Sequence, residues 1–405
     1  MTSGLHFLLA ARQCEIAELE QLATTGDLVS ALARFIHELQ RERGISNIYL
    51  SSHGAQFDRQ RLDQAGECDR AQQAVVEQFQ RLHTEPGQAR NGARLFSRVA
   101  IVLHTLEGLP TLRARIARQS LTAGEATAAF VKLITGLFTV VFEAADTATD
   151  PQVSRALVAM FHFMQGKEFA GQERALGARV FAAGYVDAAG QQHWRHLIES
   201  QHGCFQVFAD HADPQVVQAD RATRDPVVMT EIERLRSLGC TVRGELDTRL
   251  SQDWYHWCTR RIDEMKATED LLARQLREVA ATRIAQARGE LRDQRAALDA
   301  LSARVADSSA TPLAFGPHLE RSLFTMVQEQ ARRLQAVSDE LDAVRATLTE
   351  RKVVERAKGL LMAHRQMSED EAYKALRQMA MNQKRRLLDV AQNVLAMAEV
   401  LPQGR

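Results

Sequence analysis

Residues 28–50 read LVSALARFIHELQRERGISNIYL, and the spacing of their apolar side chains decides the fold class. Leu32, Phe35, Ile36 and Leu39, then Ile45, Ile48, Tyr49 and Leu50, mark the stripe of a helix buried on one side. Working outward, helical periodicity recurs from Thr25 to about Ala306. It breaks at Ser52-His53-Gly54, Glu85-Pro86-Gly87, Gly108-Leu109-Pro110, Thr149-Asp150-Pro151, Gly184 to Gly190 and Ala212-Asp213-Pro214. The breaks predict about eight helices of roughly 15–30 residues, the raw material of helical bundles. With Gly 22 and Pro 8 among 405 residues and only 6% aromatics, the composition also favours helices over strands. An all-α protein is expected.

Lys and Arg total 51 and so do Asp and Glu, which means that any surface for a polyanion must be local. Cys14, Cys68, Cys204, Cys240 and Cys258 are odd in number, scattered and without a CxxC, so neither a disulfide framework nor a zinc site is indicated. No cofactor or metal is expected. The run Leu5 to Ala11 meets Arg12 and Glu15 too soon for a secretory signal. Phe130 to Phe142 carries Lys132 and falls short of the ~20 apolar residues a bilayer needs. A soluble cytoplasmic chain is expected.

Ser308 to Pro317 holds two prolines, a glycine and small polar residues, and predicts an interdomain hinge. Heptad seams flank it: Ile284, Ala287, Leu291, Gln294, Leu298, Leu301 and Val305 before, and Leu323, Val327, Gln330, Leu334, Val337, Leu341, Val344 and Leu348 after. The second seam must bury itself in an intrachain hairpin or across a coiled-coil homodimer; we read the dimer. A faint repeat relates residues 40–50 to residues 171–181, each with Glu-Arg before a small residue, which points to two related bundles.

Arg43 lies beside Gly44 and close to the apolar stripe, and Arg174 sits comparably beside Ala175. Arg236 lies between Leu235 and Leu238 on the apolar side of a further helix. Two readings stay open for these residues. Either Glu42 or Glu173 pairs with an arginine elsewhere, or arginines from different helices converge on a small anion, which a planar, doubly donating guanidinium suits. The segments Leu39 to Ser46, Lys167 to Ala175 and Trp254 to Ile262 resemble the NIT domain, a helical receptor for nitrate and nitrite, over roughly residues 30–305. That resemblance implies two four-helix bundles with nitrate or nitrite between them, held by Arg43, Arg174 and Arg236.

From Arg351 to Arg405 Lys and Arg exceed Asp and Glu by eleven to six, a local basicity that points to a polyanion. Val353, Val354, Ala357, Leu360 and Leu361 give one amphipathic helix. A break at Arg365-Gln366-Met367 precedes a capping box, Ser368 with Glu371, that opens a second helix with Ala372, Ala375, Leu376 and Met379 inward. Leu387, Ala391, Val394 and Ala398 give a third. Lys384, Arg385 and Arg386 are expected in its first turn, where the helix dipole disfavours cations and a phosphate would reverse the sign. Gly359 inside the first helix implies either tight helix packing or close approach of a partner. Residues 351–362, 368–373 and 376–382 resemble the ANTAR domain, an RNA-binding antitermination module. By that resemblance Lys358, Gly359, Arg377, Lys384, Arg385 and Arg386 meet RNA, while Tyr373, the module's only aromatic, packs rather than stacks.

The expected organisation is a sensor over 1–306, a hinge and heptad linker over 307–345, and an RNA-binding bundle over 346–405. Together the two resemblances imply a one-component antiterminator in which anion binding frees the C-terminal bundle to hold leader-RNA hairpins. A nitrate-responsive DNA-binding regulator is the alternative. An enzyme would need inward Glu-x-x-His motifs in pairs, which the chain lacks. A coiled-coil scaffold would need no small ligand.

Overall fold

The computed structural model describes residues 4–82, 92–242, 244–307, 317–365, 367, 369–383 and 385–400, and all secondary structure there is helical. Residues 308–316 of the expected hinge, the break at 85–87, the Ser368 cap and Lys384 lie outside these residues, while Pro317, the last of the hinge, is helical. The chain divides into two compact units, Met1–Leu334 and Gln335–Arg405.

Among the described residues of the first unit, ten helices precede residue 308: α1 (Gly4–Ser51), α2 (Asp58–Gln80), α3 (Gly92–Leu106), α4 (Leu109–Ala117), α5 (Ala123–Asp146), α6 (Pro151–Ala183), α7 (Ala188–His211), α8 (Pro214–Thr223), α9 (Pro226–Thr241) and α10 (Leu250–Asp307). Two are far longer than the sequence breaks predict, 48 residues for α1 and 58 for α10. The stops at 118–122, 224–225 and 242–249 went unpredicted. Three helices start alike. Asp150, Asp213 and Asp225 each precede a proline at the first helical position and accept backbone N–H groups at the N-terminus, a cap that contributes about 1 kcal/mol each. Thr122 and Glu125 close a reciprocal capping box on α5.

Helices α1, α2, α3 and α5 pack into one bundle and α6, α7, α9 and α10 into a second, with α1, α6 and α10 in mutual contact where they meet. The second core centres on Trp194, Trp254 and Phe181, whose rings meet at centroid distances of 5.1–6.1 Å. Two glycines make room for the indoles: a Cβ at Gly177 would lie 2.3 Å from Trp254 Nε1, and one at Gly239 2.2 Å from Trp194. Helix α5 is long and apolar enough to cross a membrane, but Phe130, Ile134, Leu137, Val140 and Val141 are buried against the other helices of its bundle.

Helix α11 (Pro317–Arg365) continues into the second unit, followed by α12 (Glu369–Gln383) and α13 (Leu387–Val400). Ala357, Leu361, Ala372, Leu376, Ala380, Val390 and Ala391 form its core, edged by Val353, Val354, Ala375, Met379, Leu387 and Val394. Of the predicted inward faces, all but Leu360 and Ala398 are found in or against this core, and the side chain of Ala398 lies outside the described residues. Along the second heptad seam Leu341 and Val344 are buried while Leu334 is exposed.

Candidate anion site and nucleic-acid surface

Contacts between α1 and α6 pair His37 with Lys167, Gln40 and Arg43 with Glu168, Arg43 with Gly171 and Gly44 with Arg174. The partner numbers rise together, so the two helices run parallel, offset by about the spacing of the repeat. At this seam the Glu-Arg motif splits. Each glutamate turns into its own bundle: Glu42 accepts from Arg113 Nε and Nη2 at 2.7 and 2.9 Å, and Glu173 from Arg236 Nε and Nη2 at 2.7 and 2.6 Å. Each arginine crosses to the other bundle. Arg43 lies over Gly171, where a Cβ would be 2.7 Å from its Nη2, and Arg174 lies over Gly44, where one would be 2.8 Å from its Nη2.

The two crossing arginines differ in their partners. Arg43 donates to both oxygens of Glu168, at 2.5 and 3.2 Å, and Gln40 and Gln172 also donate to that carboxylate. Arg174 donates to Thr259 Oγ1 at 3.0 Å and lies over the Tyr255 ring, 5.0 Å from its centroid, with no carboxylate at ion-pair distance among the described residues. The Tyr255 hydroxyl abuts the same face of Gly44, 3.4 Å from where its Cβ would lie. Ser46, one turn beyond Arg43, is buried with its hydroxyl unpartnered. A cationic layer lies one to two turns away: Lys167 is wholly buried against Glu269 at 2.5 Å, and Lys266 donates to Glu269 at 3.0 Å. Burial, with the charges of Lys167, Lys266, Arg41 and Arg174, pushes His37 down to about 2, so it is neutral at physiological pH.

Arg236 stands apart from Arg43 and Arg174. Besides Glu173 it donates to Glu233 and Gln201, and it is 3% exposed. Burial alone would raise the Glu173 carboxyl, but the hydrogen bonds and charge of Arg236 outweigh it and hold the group below the usual carboxylate range. Of the three arginines expected around one anion, the structure brings together two.

In the C-terminal unit Arg377 projects from α12 beside exposed Met381, four residues on. Arg385 and Arg386 are exposed but precede α13 instead of crowding its first turn; the Arg386 carbonyl accepts from Val390 N, and its side chain reaches Asp389 at 3.7 Å. The helix starts later than the residue pattern implied, so the repulsion expected from the dipole is relieved by placement outside the helix and by Asp389. Lys358 is buried, its ammonium 6.0 Å from the Tyr373 ring centroid, and packs more than it projects. Among the described residues nothing lies within 4 Å of a Cβ at Gly359, so no tight helix packing is seen there to account for that glycine.

A family model described as nitrate and nitrite sensing matches residues 34–277. The chain belongs to the NIT family. A second model, the ANTAR domain, matches residues 342–395. The nitrate regulatory protein of Klebsiella oxytoca is 34% identical over 388 residues, 95% of this chain and 93% of that one. A solved structure of the NasR transcription antiterminator superposes with TM-score 0.64 at 29% identity, covering 98% of this chain and 99% of that one. This NIT chain thus joins a nitrate- and nitrite-sensing module to an RNA-binding ANTAR module, the combination of a signal-responsive antiterminator and not of a DNA-binding regulator.

Several NIT-module residues of the seam were not singled out in the sequence. Glu168, Gly171, Tyr255 and Thr259 all fall inside segments quoted above, but nothing in their spacing tells which face of α6 or α10 each occupies. The one readable signal is a glycine three residues before Arg174, mirroring the Gly44 that follows Arg43.

Proposed function

We propose that this chain senses nitrate or nitrite at the α1–α6 seam, with Arg174 as the principal ligand. The supporting observation is that Arg174 is a buried guanidinium with no carboxylate partner among the described residues, its Nη2 seated in the space over Gly44. Burying such a charge is costly, and a flat monovalent oxyanion repays the cost through paired N–H donors. Tyr255 and Thr259 complete the polar lining. Arg43, chelated by Glu168, positions the facing helix and adds positive potential, and Arg236 holds the second bundle together through Glu173.

The anion acts only through its different affinities for two arrangements of α1 against α6. In the anion-bound arrangement the ANTAR module engages leader-RNA hairpins through Arg377, Arg385, Arg386 and the adjoining Lys384, with Gly359 allowing close approach and Lys358 supporting the fold beneath. Loop bases splayed from a hairpin need few side chains to be read. The second heptad seam, with Leu334 exposed, supports assembly as a homodimer. No catalysis is involved, and the chain works in the cytoplasm, where the transcript is made.

Calorimetry with nitrate and nitrite on wild type, Arg174→Ala and Arg43→Ala tests the pocket. Loss of binding in Arg174→Ala is expected, and undiminished affinity there would overturn the assignment. Gel shifts with leader-RNA hairpins and with matching duplex DNA, with and without nitrate, test the output; a preference for duplex would remove the RNA reading.

A further inference from the structure

Helices α1 and α10 run antiparallel and unbroken. Gly44 faces Tyr255, Gly26 faces Leu276, Glu20 accepts from Arg288 at 2.6 Å, and Arg12 lies 3.0 Å from Glu290. At a rise of about 1.5 Å per residue, the pair extends roughly 50 Å from the α1–α6 seam, where Gly44, Tyr255 and Thr259 lie, to Arg12 and Glu290.

At that far end, charges of alternating sign close a ring. Arg12 pairs with Glu15 at 2.6 Å and with Glu290 at 3.0 Å, while Arg333 of α11 pairs with Glu290 and, at 3.4 Å, with Glu15. Each corner thus has two partners of opposite sign, and a shift of any one of the three helices breaks two of these contacts together. Arg12 is 4% exposed, but the other three side chains are 26–32% exposed. Ion pairs so solvated are weak and screened by salt, which suits a contact that opens and closes. Around Arg333, the described Arg332, Leu334, Gln335 and Ala336 are exposed, so the grip on α11 at this turn is ionic rather than apolar. Helices α1 and α10 have other ties, since Leu276 is buried against Gly26 and Arg288 holds Glu20 outside the ring.

We propose that this ring is a clasp coupling the anion seam to α11, closed in one arrangement of α1 against α6 and open in the other. This role presupposes anion sensing at the seam. A small displacement at Gly44 is carried along α1 and α10 as rigid rods, and a ring that loses its contacts in pairs converts it into a two-state grip or release of Arg333. Arg333 stands beside Leu334, the last residue of the first compact unit, so the helix gripped is the one that continues into the ANTAR module.

The clasp is tested on the full-length chain, with nitrate affinity from calorimetry and leader-hairpin affinity from gel shifts, at saturating nitrate and without it. Arg333→Gln removes one corner at a partly exposed position. Nitrate should still bind, while the ratio of the two hairpin affinities should move at least about threefold towards one. Arg288→Gln breaks the neighbouring α1–α10 pair without touching the ring and should keep the wild-type ratio. A lowered melting temperature in Arg333→Gln with the ratio intact would make the ring merely structural and overturn the clasp, leaving the seam standing. An equal fall of the ratio in Arg288→Gln overturns it too. Should Arg333→Gln not fold, Arg333→Lys replaces it under the same criterion, since a point charge lacks the fork that spans both carboxylates. A wild-type chain that binds no nitrate removes the seam and the clasp with it.

Discussion

Arg174 and Arg236 look alike in sequence, each an arginine among apolar neighbours, yet their burial has opposite consequences. Removing Arg236 leaves Glu173, 1% exposed, without its main counter-charge, so Arg236→Ala should destabilise the chain by about 3–5 kcal/mol in urea melts. Arg174→Ala strands no carboxylate and should cost far less while abolishing anion binding. The comparison separates a strut from a ligand, and equal losses of stability would contradict it. Gly44 gives a finer probe. A methyl there first meets the far end of the long Arg174 side chain and the Tyr255 hydroxyl, so Gly44→Ala should fold normally by circular dichroism yet lower nitrate affinity. Gly239→Ala instead drives a methyl into the rigid ring of Trp194 and should be strongly destabilising. The sequence could place the Glu-Arg motif on a buried stripe, but residues one position apart point about 100° apart on a helix. Which bundle each then serves depends on neighbours 63 to 125 residues away.

At the scale of single helices, most starts and stops were legible because they are written in local chemistry. Proline after aspartate announced α6 and α8, and the same pair at Asp225-Pro226 marks α9, a signal present but passed over. Asp225→Ala is expected to cost about 1 kcal/mol through the lost cap, measurable as a fall in melting temperature. Helix lengths were not legible, since α1 and α10 run through positions where the apolar pattern shifts from one packing partner to the next. Gly359 makes the opposite case. It sits in a helix interior facing open space, so Gly359→Ala should stabilise the isolated fold by roughly 1 kcal/mol. If the gap serves RNA, the same change should weaken hairpin binding in gel shifts; tighter or equal binding would assign the glycine no part in recognition.

For the molecule as a whole, pH is a direct reporter of the buried cationic layer. His37 has a folded pKa near 2 against an ordinary value of 6.5, so the unfolded chain binds a proton that the folded chain refuses between those limits. Its contribution is complete above about pH 6.5 and declines as pH falls, by up to about 1.4 kcal/mol per pH unit. His37→Asn should flatten the stability curve between pH 5 and 6.5 relative to wild type, and coincident curves would show that the imidazole stays solvated. None of this could be read from composition, because Lys167, Glu269 and His37 belong to three helices that only the tertiary fold brings together.

The parallel pairing of α1 and α6, each arginine resting on the other helix's glycine, has an evolutionary corollary. A reciprocal contact of this kind is what two copies of one ancestral helix make when they dimerise about a shared axis. The Arg43–Glu168 chelate and the unchelated Arg174 would then be the point at which a once symmetric pair diverged, one guanidinium taking a carboxylate and the other a hydroxyl and a ring. An engineered chain in which Glu168 is neutralised would regain the ancestral equivalence and should offer two guanidiniums to the solute instead of one.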